Sequence, residues 1–284
     1  MFRQAGWAGK QEGAFIDMTL NHLSIEKLDL GLLVISVQRP TALNALNLNT
    51  LRELREVLSE AAGDATVRVV ILTGSGEKSF IAGADIAEMQ EMDLRSAVEF
   101  SKLGSEVARL LEEMPKPTIA MVQGFALGGG CEMALACDFA IAADSAVFGQ
   151  PEVGLGLIPG FGGTYRLLKR VGVARAKELI FSGRKMKADE AFQMGLVSQV
   201  VPHQALRQRT LELAEQISRN SLNAVVKAKE LLNEFSESSG ISVKSDAESH
   251  AFGRLFGTED QKEGLSAFLE KRRPRFLNVS TKEV

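Results

Sequence analysis

The stretch that most constrains this chain is residues 122–152, VQGFALGGGCEMALACDFAIAADSAVFGQPE. Three consecutive glycines, Gly128, Gly129 and Gly130, stand directly before a run of helical composition, 131–137. Lacking a Cβ, glycine takes positive φ and lets a ligand approach bare backbone. The run places the triplet at a helix N-terminus, where N–H groups lack partners and carry partial positive charge. Such an end suits an anionic oxygen. Glu132 falls in the first turn of that helix, and a second carboxylate, Glu152, follows a Gly-Gln-Pro turn. Taken alone, the triplet reads equally well as a tight turn into a packed helix.

A second stretch has the same character. SFIAGADIAEM, residues 79–89, follows a strand-like run at 67–73 and is small and glycine-bearing around Gly83 and Ala84. It too can present a bare backbone N–H. By itself it reads as a strand-to-helix loop with Asp85 as N-cap.

The rest of the chain alternates strands and helices. Residues 32–37 form a buried apolar run ended by Arg39-Pro40. Thr50 with Glu53 predicts a capping box for a helix carrying Leu51, Leu54, Val57, Leu58 and Ala61 on one face. Residues 95–113 read as a helix with Phe100, Leu103, Val107, Leu110 and Leu111 inward, and 118–122 as a strand aimed at the glycine triplet. Residues 74–79, GSGEKS, look like half a phosphate loop, but the spacing is wrong and a polar turn is expected. After Glu152 a glycine-rich loop leads to helices at 164–171, 174–181 and 188–194. From 204 onward the pattern is almost wholly helical, at 206–219, 223–234, 243–256 and 261–271. Three regions follow: an extension over 1–17 expected to be disordered, with Met18 the natural start; a strand–helix core over 18–203; and a helical region over 204–284. Periodicity alone gives an α/β fold.

Composition excludes several classes. The net charge is −3, so nucleic acid is not an expected partner. Two cysteines, Cys131 and Cys137, make no disulfide framework; both lie in the apolar helix and are expected as buried thiols in a reducing, cytoplasmic setting. The three histidines are scattered, and no ligand spacing predicts a metal site. No apolar run has the ~18 residues a membrane span needs.

Taken together the motifs resemble the crotonase family, the enoyl-CoA hydratases and isomerases. The matching runs are PTALNALN (40–47), SFIAGADIAEM (79–89), KPTIAMVQGFALGGGCEMALACD (116–138), FGQPEVGLGLIPGFGGTYRL (148–167) and EDQKEGLSAFLEKRRPRF (259–276). They run in order over about residues 20–276. The resemblance implies a spiral of ββα units with a C-terminal helical trimerisation region, assembled as a homotrimer or a hexamer of two stacked trimers. It implies an acyl-CoA substrate and no separate cofactor, coenzyme A being part of the substrate.

It also assigns roles. The oxyanion hole falls to the N–H groups of Ala84 and Gly129, and the catalytic carboxylates to Glu132 and Glu152. Substrate and CoA contacts fall to Ala42, Ala82, Asp85, Ile86, Gly128 and Gly160, with Phe252 and Lys271 reaching CoA partly across a subunit boundary. Retention of both glutamates favours reversible syn addition of water to a trans-2-enoyl-CoA, giving a 3-hydroxyacyl-CoA, either with Glu132 as base on water and Glu152 as proton donor or with one bound water giving both its hydroxyl and, through a carboxylate, the proton. Family isomerases, and hydratases of branched or cyclic acyl-CoAs, are the competing activities; some relatives bind RNA, which the acidic chain disfavours. One departure is Ala87, where many hydratases carry lysine; losing that exposed cation weakens CoA binding by ~1 kcal/mol or less. The pocket wall is expected to draw on residues 89–103 and Phe161.

Overall fold

The computed structural model describes residues 20–235, 241–256 and 258–276. The expected extension over 1–17 and the start at Met18 lie outside them. The strands are β1 (Leu23–Leu28), β2 (Leu32–Val37), β3 (Val69–Gly74), β4 (Ser79–Ile81), β5 (Thr118–Val122), β6 (Phe125–Leu127), β7 (Phe139–Ala143), β8 (Val147–Gly149), β9 (Lys185–Lys187) and β10 (Gln199–Val201). They form two sheets, in orders β1-β2-β3-β5-β7-β10 and β4-β6-β8-β9. Among the described residues only the β1–β2 and β8–β9 pairs are antiparallel. Each turn of the chain therefore lays one strand in the first sheet and the next in the second: β3 then β4, β5 then β6, β7 then β8. That is the spiral of ββα units expected above.

The first sheet is buried on both faces, which explains its unbroken apolar strands. Alternate residues separate cleanly, as the period of two requires. Leu33, Ile35, Val70, Leu72, Ala120, Val122 and Ala142 join the main core. Leu32, Val34, Val69, Ile71, Ile119, Met121 and Ile141 join a second cluster on the opposite face. The main core is closed by α1 (Leu48–Gly63), α2 (Ile86–Gln90), α3 (Leu94–Glu113) and α4 (Gly129–Ala136), followed by α5 (Gly163–Val171), α6 (Val173–Ser182) and α7 (Ala188–Gln193). The second cluster is covered by α8 (Leu206–Ser218), through Leu206 and Ala214. The chain then runs through α9 (Leu222–Phe235), α10 (Ile241–Leu255) and α11 (Glu259–Leu269).

One local expectation is corrected. The N-cap of α1 is Asn47, not Thr50: the Asn47 side chain accepts the Thr50 N–H at 2.9 Å. Glu53 instead accepts the backbone N–H groups of Asn21 and His22, at 3.1 and 2.9 Å. The helix begins three residues early because the loop before it already offers a capping amide, and this frees Glu53 to tie down the approach to β1.

The C-terminal helices are tied to the sheet layer by buried cations. Arg68 donates to the carbonyls of Ser218 and Asn220, at 2.9 and 2.8 Å. Lys229 on α9 sits 3.0 Å from the Asp138 carboxylate and donates to the carbonyls of Leu111 and Lys116.

Candidate active site

Strands β4, β6 and β8 lie side by side and parallel, so the three loops leaving their C-terminal ends emerge together. The first carries Ala82, Gly83, Ala84 and Asp85; the second, Gly128 and the start of α4; the third, Gln150, Pro151 and Glu152. Strand order alone thus gathers residues far apart in sequence.

Glycine is required where these loops touch. A Cβ on Gly130 would run into the Ile81 carbonyl, so α4 can seat on the end of β4 only without a side chain there. Gly128 has φ 48° and ψ −122°, a conformation essentially closed to other residues. A Cβ on it would stand 2.9 Å from Glu152 Oε1.

Among the described residues, two neighbouring backbone N–H groups, of Gly129 and Ala84, stand outside the pairings that hold these loops. The first bond of α4 runs from the Glu132 N–H to the Gly128 carbonyl, at 3.0 Å. The Gly129 N–H therefore precedes the intrahelical ladder. In the first loop, Leu46 pairs in parallel with Ala84 by donating to the Gly83 carbonyl and accepting from the Asp85 N–H, both at 2.8 Å. That pairing leaves the Ala84 N–H on the other side. The Ala84 nitrogen lies 3.6 Å from the point where a Cβ would stand on Gly129. The two donors are neighbours.

The carboxylates flank them in different surroundings. Glu132 is 1% exposed. Its Oε1 accepts the N–H groups of Phe161 and Gly163, at 2.7 and 2.6 Å. Burial pushes Glu132 above the usual carboxylate range, opposed by those two bonds and by the charge of Arg166. Glu152 is pushed up to about 7, first by burial and further by the charge of Glu132, while its own N–H acts the other way. Gln150, 1% exposed, packs beside both groups. With its amide nitrogen turned to the carboxylate it donates to Glu152 Oε1 and Oε2, at 2.9 and 3.3 Å. Arg166 holds the 161–163 loop in place by donating to the Phe161 carbonyl at 2.8 Å while paired with Glu112 at 2.8 Å.

Most of the other expected site residues border this centre. Asp85 caps α2 through the Ala87 and Glu88 N–H groups and pairs with Arg39 at 2.8 Å, which holds its carboxyl below the usual range. Ala42 lies in a short turn whose next residue, Leu43, accepts the Ala82 N–H at 3.1 Å, so both stand along the same loop. Ile86 opens α2 and is exposed. The Gly160 carbonyl accepts Ser101 Oγ at 2.6 Å and Ser105 Oγ at 3.2 Å, and its N–H adds to the field on Glu132. Phe252 and Lys271 are not joined to this centre by any hydrogen bond or ring contact among the described residues. Phe252 is 64% exposed on α10 with its ring 5.0 Å from that of Phe256, and Lys271 is exposed just past α11.

Sequence reasoning did not find the backbone donors on Glu132, the Arg39–Asp85 pair or the amide of Gln150. The last was within reach, because a polar residue between a buried strand and a paired carboxylate needs a partner. Both cysteines are buried, and burial pushes the Cys137 thiol up to about 12 and Cys131 higher still, which keeps them protonated. Among the described residues no group of three or more His, Cys, Asp or Glu side chains is placed to hold a metal, and no helix is long and apolar enough to cross a membrane.

Known proteins resemble this chain over nearly its whole length. The family described as enoyl-CoA hydratase/isomerase matches residues 28–279. The chain is 50% identical over 256 residues to a short-chain-enoyl-CoA hydratase of Clostridium acetobutylicum, covering 90% of this chain and 97% of that protein. It is 48% identical over 261 residues to a crotonyl-CoA hydratase of Syntrophomonas wolfei, covering 92% and 100%. The crystal structure of an enoyl-CoA hydratase from Bacillus anthracis superposes with a TM-score of 0.88 at 40% identity, over 91% of this chain and 100% of that one. A match this long, to a fold of two sheets wound as a ββα spiral, shows that the chain belongs to the enoyl-CoA hydratase/isomerase family, the crotonases.

Proposed function

We infer that this chain is an enoyl-CoA hydratase acting on short trans-2-enoyl-CoA thioesters. The observation that carries this reading is the pair Glu132, buried, and Glu152, half-buried, beside the N–H groups of Ala84 and Gly129. The names of the relatives support the hydratase activity and the short chain.

The chemistry follows from the differing environments of the two carboxylates. The thioester oxygen binds the Ala84 and Gly129 N–H groups, which stabilise it as charge develops; one such donor is worth about 3 kcal/mol elsewhere. Glu132, held by two N–H bonds on one oxygen, takes a proton from water as the water oxygen adds to C3. Electron density from the double bond moves toward the thioester oxygen. Glu152, pushed up to about 7, is substantially protonated near neutrality and delivers its proton to C2. Dehydration runs the same steps backward. In this arrangement Asp85, paired with Arg39, fixes the Ala84 loop, and Gly128 leaves room for the Glu152 carboxylate. Ala42, Ala82, Ile86 and Gly160 border the substrate, and Phe252 and Lys271 help hold CoA, partly across a subunit boundary.

The scheme calls on no cofactor, because coenzyme A arrives as part of the substrate. A homotrimer, or a dimer of trimers, fits the large apolar side chains exposed on the C-terminal helices, Phe268 at 81% and Leu232 at 70%. The buried thiols suit the cytoplasm. The test is loss of the conjugated enoyl-thioester absorbance with crotonyl-CoA and purified protein. Rapid loss with 3-hydroxybutyryl-CoA as product is expected. No loss, or a shifted double bond as product, overturns the reading.

A further inference from the structure

Glu132 takes its position from a loop, and the loop takes its position from Arg166. Glu132 Oε1 accepts the N–H groups of Phe161 and Gly163, at 2.7 and 2.6 Å. Three of the four residues 160–163 are glycine, so the backbone that supplies this grip has little stiffness of its own. Arg166, in the first turn of α5, supplies it. Its Nη1 donates to the Phe161 carbonyl at 2.8 Å, while its Nε and Nη2 both donate to one oxygen of Glu112 on α3, at 3.0 and 2.8 Å. The Tyr165 ring lies against the guanidinium, 4.8 Å from its centroid. Gly162, at φ 103°, wraps so close that a Cβ there would overlap Nη1. The Arg166 side chain is 3% exposed. Burying a cation is costly unless it is paired, and Glu112 is already that pair. The further bond goes to the carbonyl of the residue whose own N–H holds Glu132.

We propose that Arg166, anchored by Glu112, is a positioning residue for the reaction: it fixes the 161–163 loop so that Glu132 is aimed at the reacting water. The inference rests on the hydratase reading and goes further by assigning the aim of the base to a residue outside the two glutamates. With Oε1 held by two loop donors, the plane of the carboxylate follows the loop. A misplacement of about 1 Å at a reacting group can cost about 100-fold in rate. Charge acts in the same direction. Among the described residues, the charged or titratable groups facing Glu132 are Arg166 on α5, Glu152 after β8 and Cys131 beside it on α4, whose thiol burial keeps protonated. Arg166 is the cation of that set. Burial raises the Glu132 carboxyl, and the charge of Arg166 opposes the rise. The upward shift of Glu152 comes instead from burial and from Glu132. Arg166 therefore acts on the base and leaves the acid to its own surroundings.

The experiment measures kcat and KM for crotonyl-CoA across the pH range in the wild type, Arg166→Met and Arg166→Lys, with folding checked by thermal melting. Methionine removes the charge; lysine keeps it but loses the planar fork that reaches Glu112 and Phe161 together. The methionine variant should lose roughly 10- to 100-fold in kcat with KM little changed. Its acid limb of kcat/KM should move to higher pH, because a base that must be ionised now keeps its proton longer. The alkaline limb, set by Glu152, should stay. The lysine variant should also lose kcat, with its acid limb nearer the wild type. Carbon NMR of glutamate-labelled protein, with the Glu132 signal assigned by its loss in Glu132→Gln, follows the same titration without turnover and should show the same upward shift. Should the methionine variant fail to fold, the lysine variant carries the result through its split of kcat against KM. A folded variant of either kind with wild-type kcat overturns the proposal. So does a methionine variant that loses activity while the acid limb and the Glu132 titration stay in place, since a purely structural tie would give that. A wild type that hydrates nothing, yet whose Glu132 titration rises in Arg166→Met, would strike the hydratase reading and leave the hold of Arg166 on Glu132 standing.

Discussion

Glu152→Gln should make the protein more stable at alkaline pH, in the same variant that loses activity. The glutamate's ordinary value is 4.5, and burial beside Glu132 raises it to about 7. A carboxyl raised in the folded state holds its proton there while the unfolded chain has already released it. Stability therefore falls as pH rises from about 4.5 to about 7 and stays lower above that. The gap corresponds to about 3 kcal/mol at 1.36 kcal/mol per pH unit. The residue is only half-buried, and solvent screening reduces the figure to about 1–2 kcal/mol. Glutamine keeps the shape and cannot ionise, so the variant escapes this cost. Melting curves of wild type and variant at pH 5 and pH 8 test it. The variant should melt about 2–3 °C higher than wild type at pH 8, with most of the difference gone at pH 5. An equal difference at both pH values, or a less stable variant at pH 8, would refute the argument that ionised Glu152 is held at a cost in folding energy.

Two further outcomes follow from the same geometry. Gly128→Ala sets a Cβ 2.9 Å from Glu152 Oε1 at φ 48°; backbone strain of about 1–3 kcal/mol is expected, with a larger fall in kcat than in melting temperature because the displaced atom belongs to the proposed acid. A variant with normal kcat would show that Glu152 need not sit where it does. Lys229→Met strands the Asp138 carboxylate that Lys229 meets at 3.0 Å. It should cost about 3 kcal/mol, measured by chemical unfolding. The double variant with Asp138→Asn should regain part of that.

Much of the fold was legible in the sequence, for physical reasons. Residues 32–37 form β2 as expected, because a strand buried on both faces needs an unbroken apolar run, and such runs stand out. The start of α2 at Asp85 was equally clear, since a capping carboxylate is written in a side chain. The second sheet was harder: β4, β6 and β8 have three residues each, too few for an alternation to register. Yet these short strands position the site. The two glutamates and the glycine triplet were legible through motif resemblance, and the structure adds how the two carboxylates differ. The difference comes from the N–H groups of Phe161 and Gly163, and backbone donors leave no mark in residue type. Nothing in the sequence pattern marks Lys229 and Lys116, yet they are buried against carbonyls and, for Lys229, Asp138. Which charges a fold will bury depends on how its layers close, and that is a tertiary property.

The central claim is that Glu132 and Glu152 share the proton transfers of one hydration. The most direct measurement is kcat and KM for crotonyl-CoA in the separate variants Glu132→Gln and Glu152→Gln, each shown to be folded. The account predicts that each loses at least about 100-fold in kcat, with KM little changed because neither side chain grips the CoA portion. Near-normal kcat in either variant would contradict it and remove that glutamate from the chemistry.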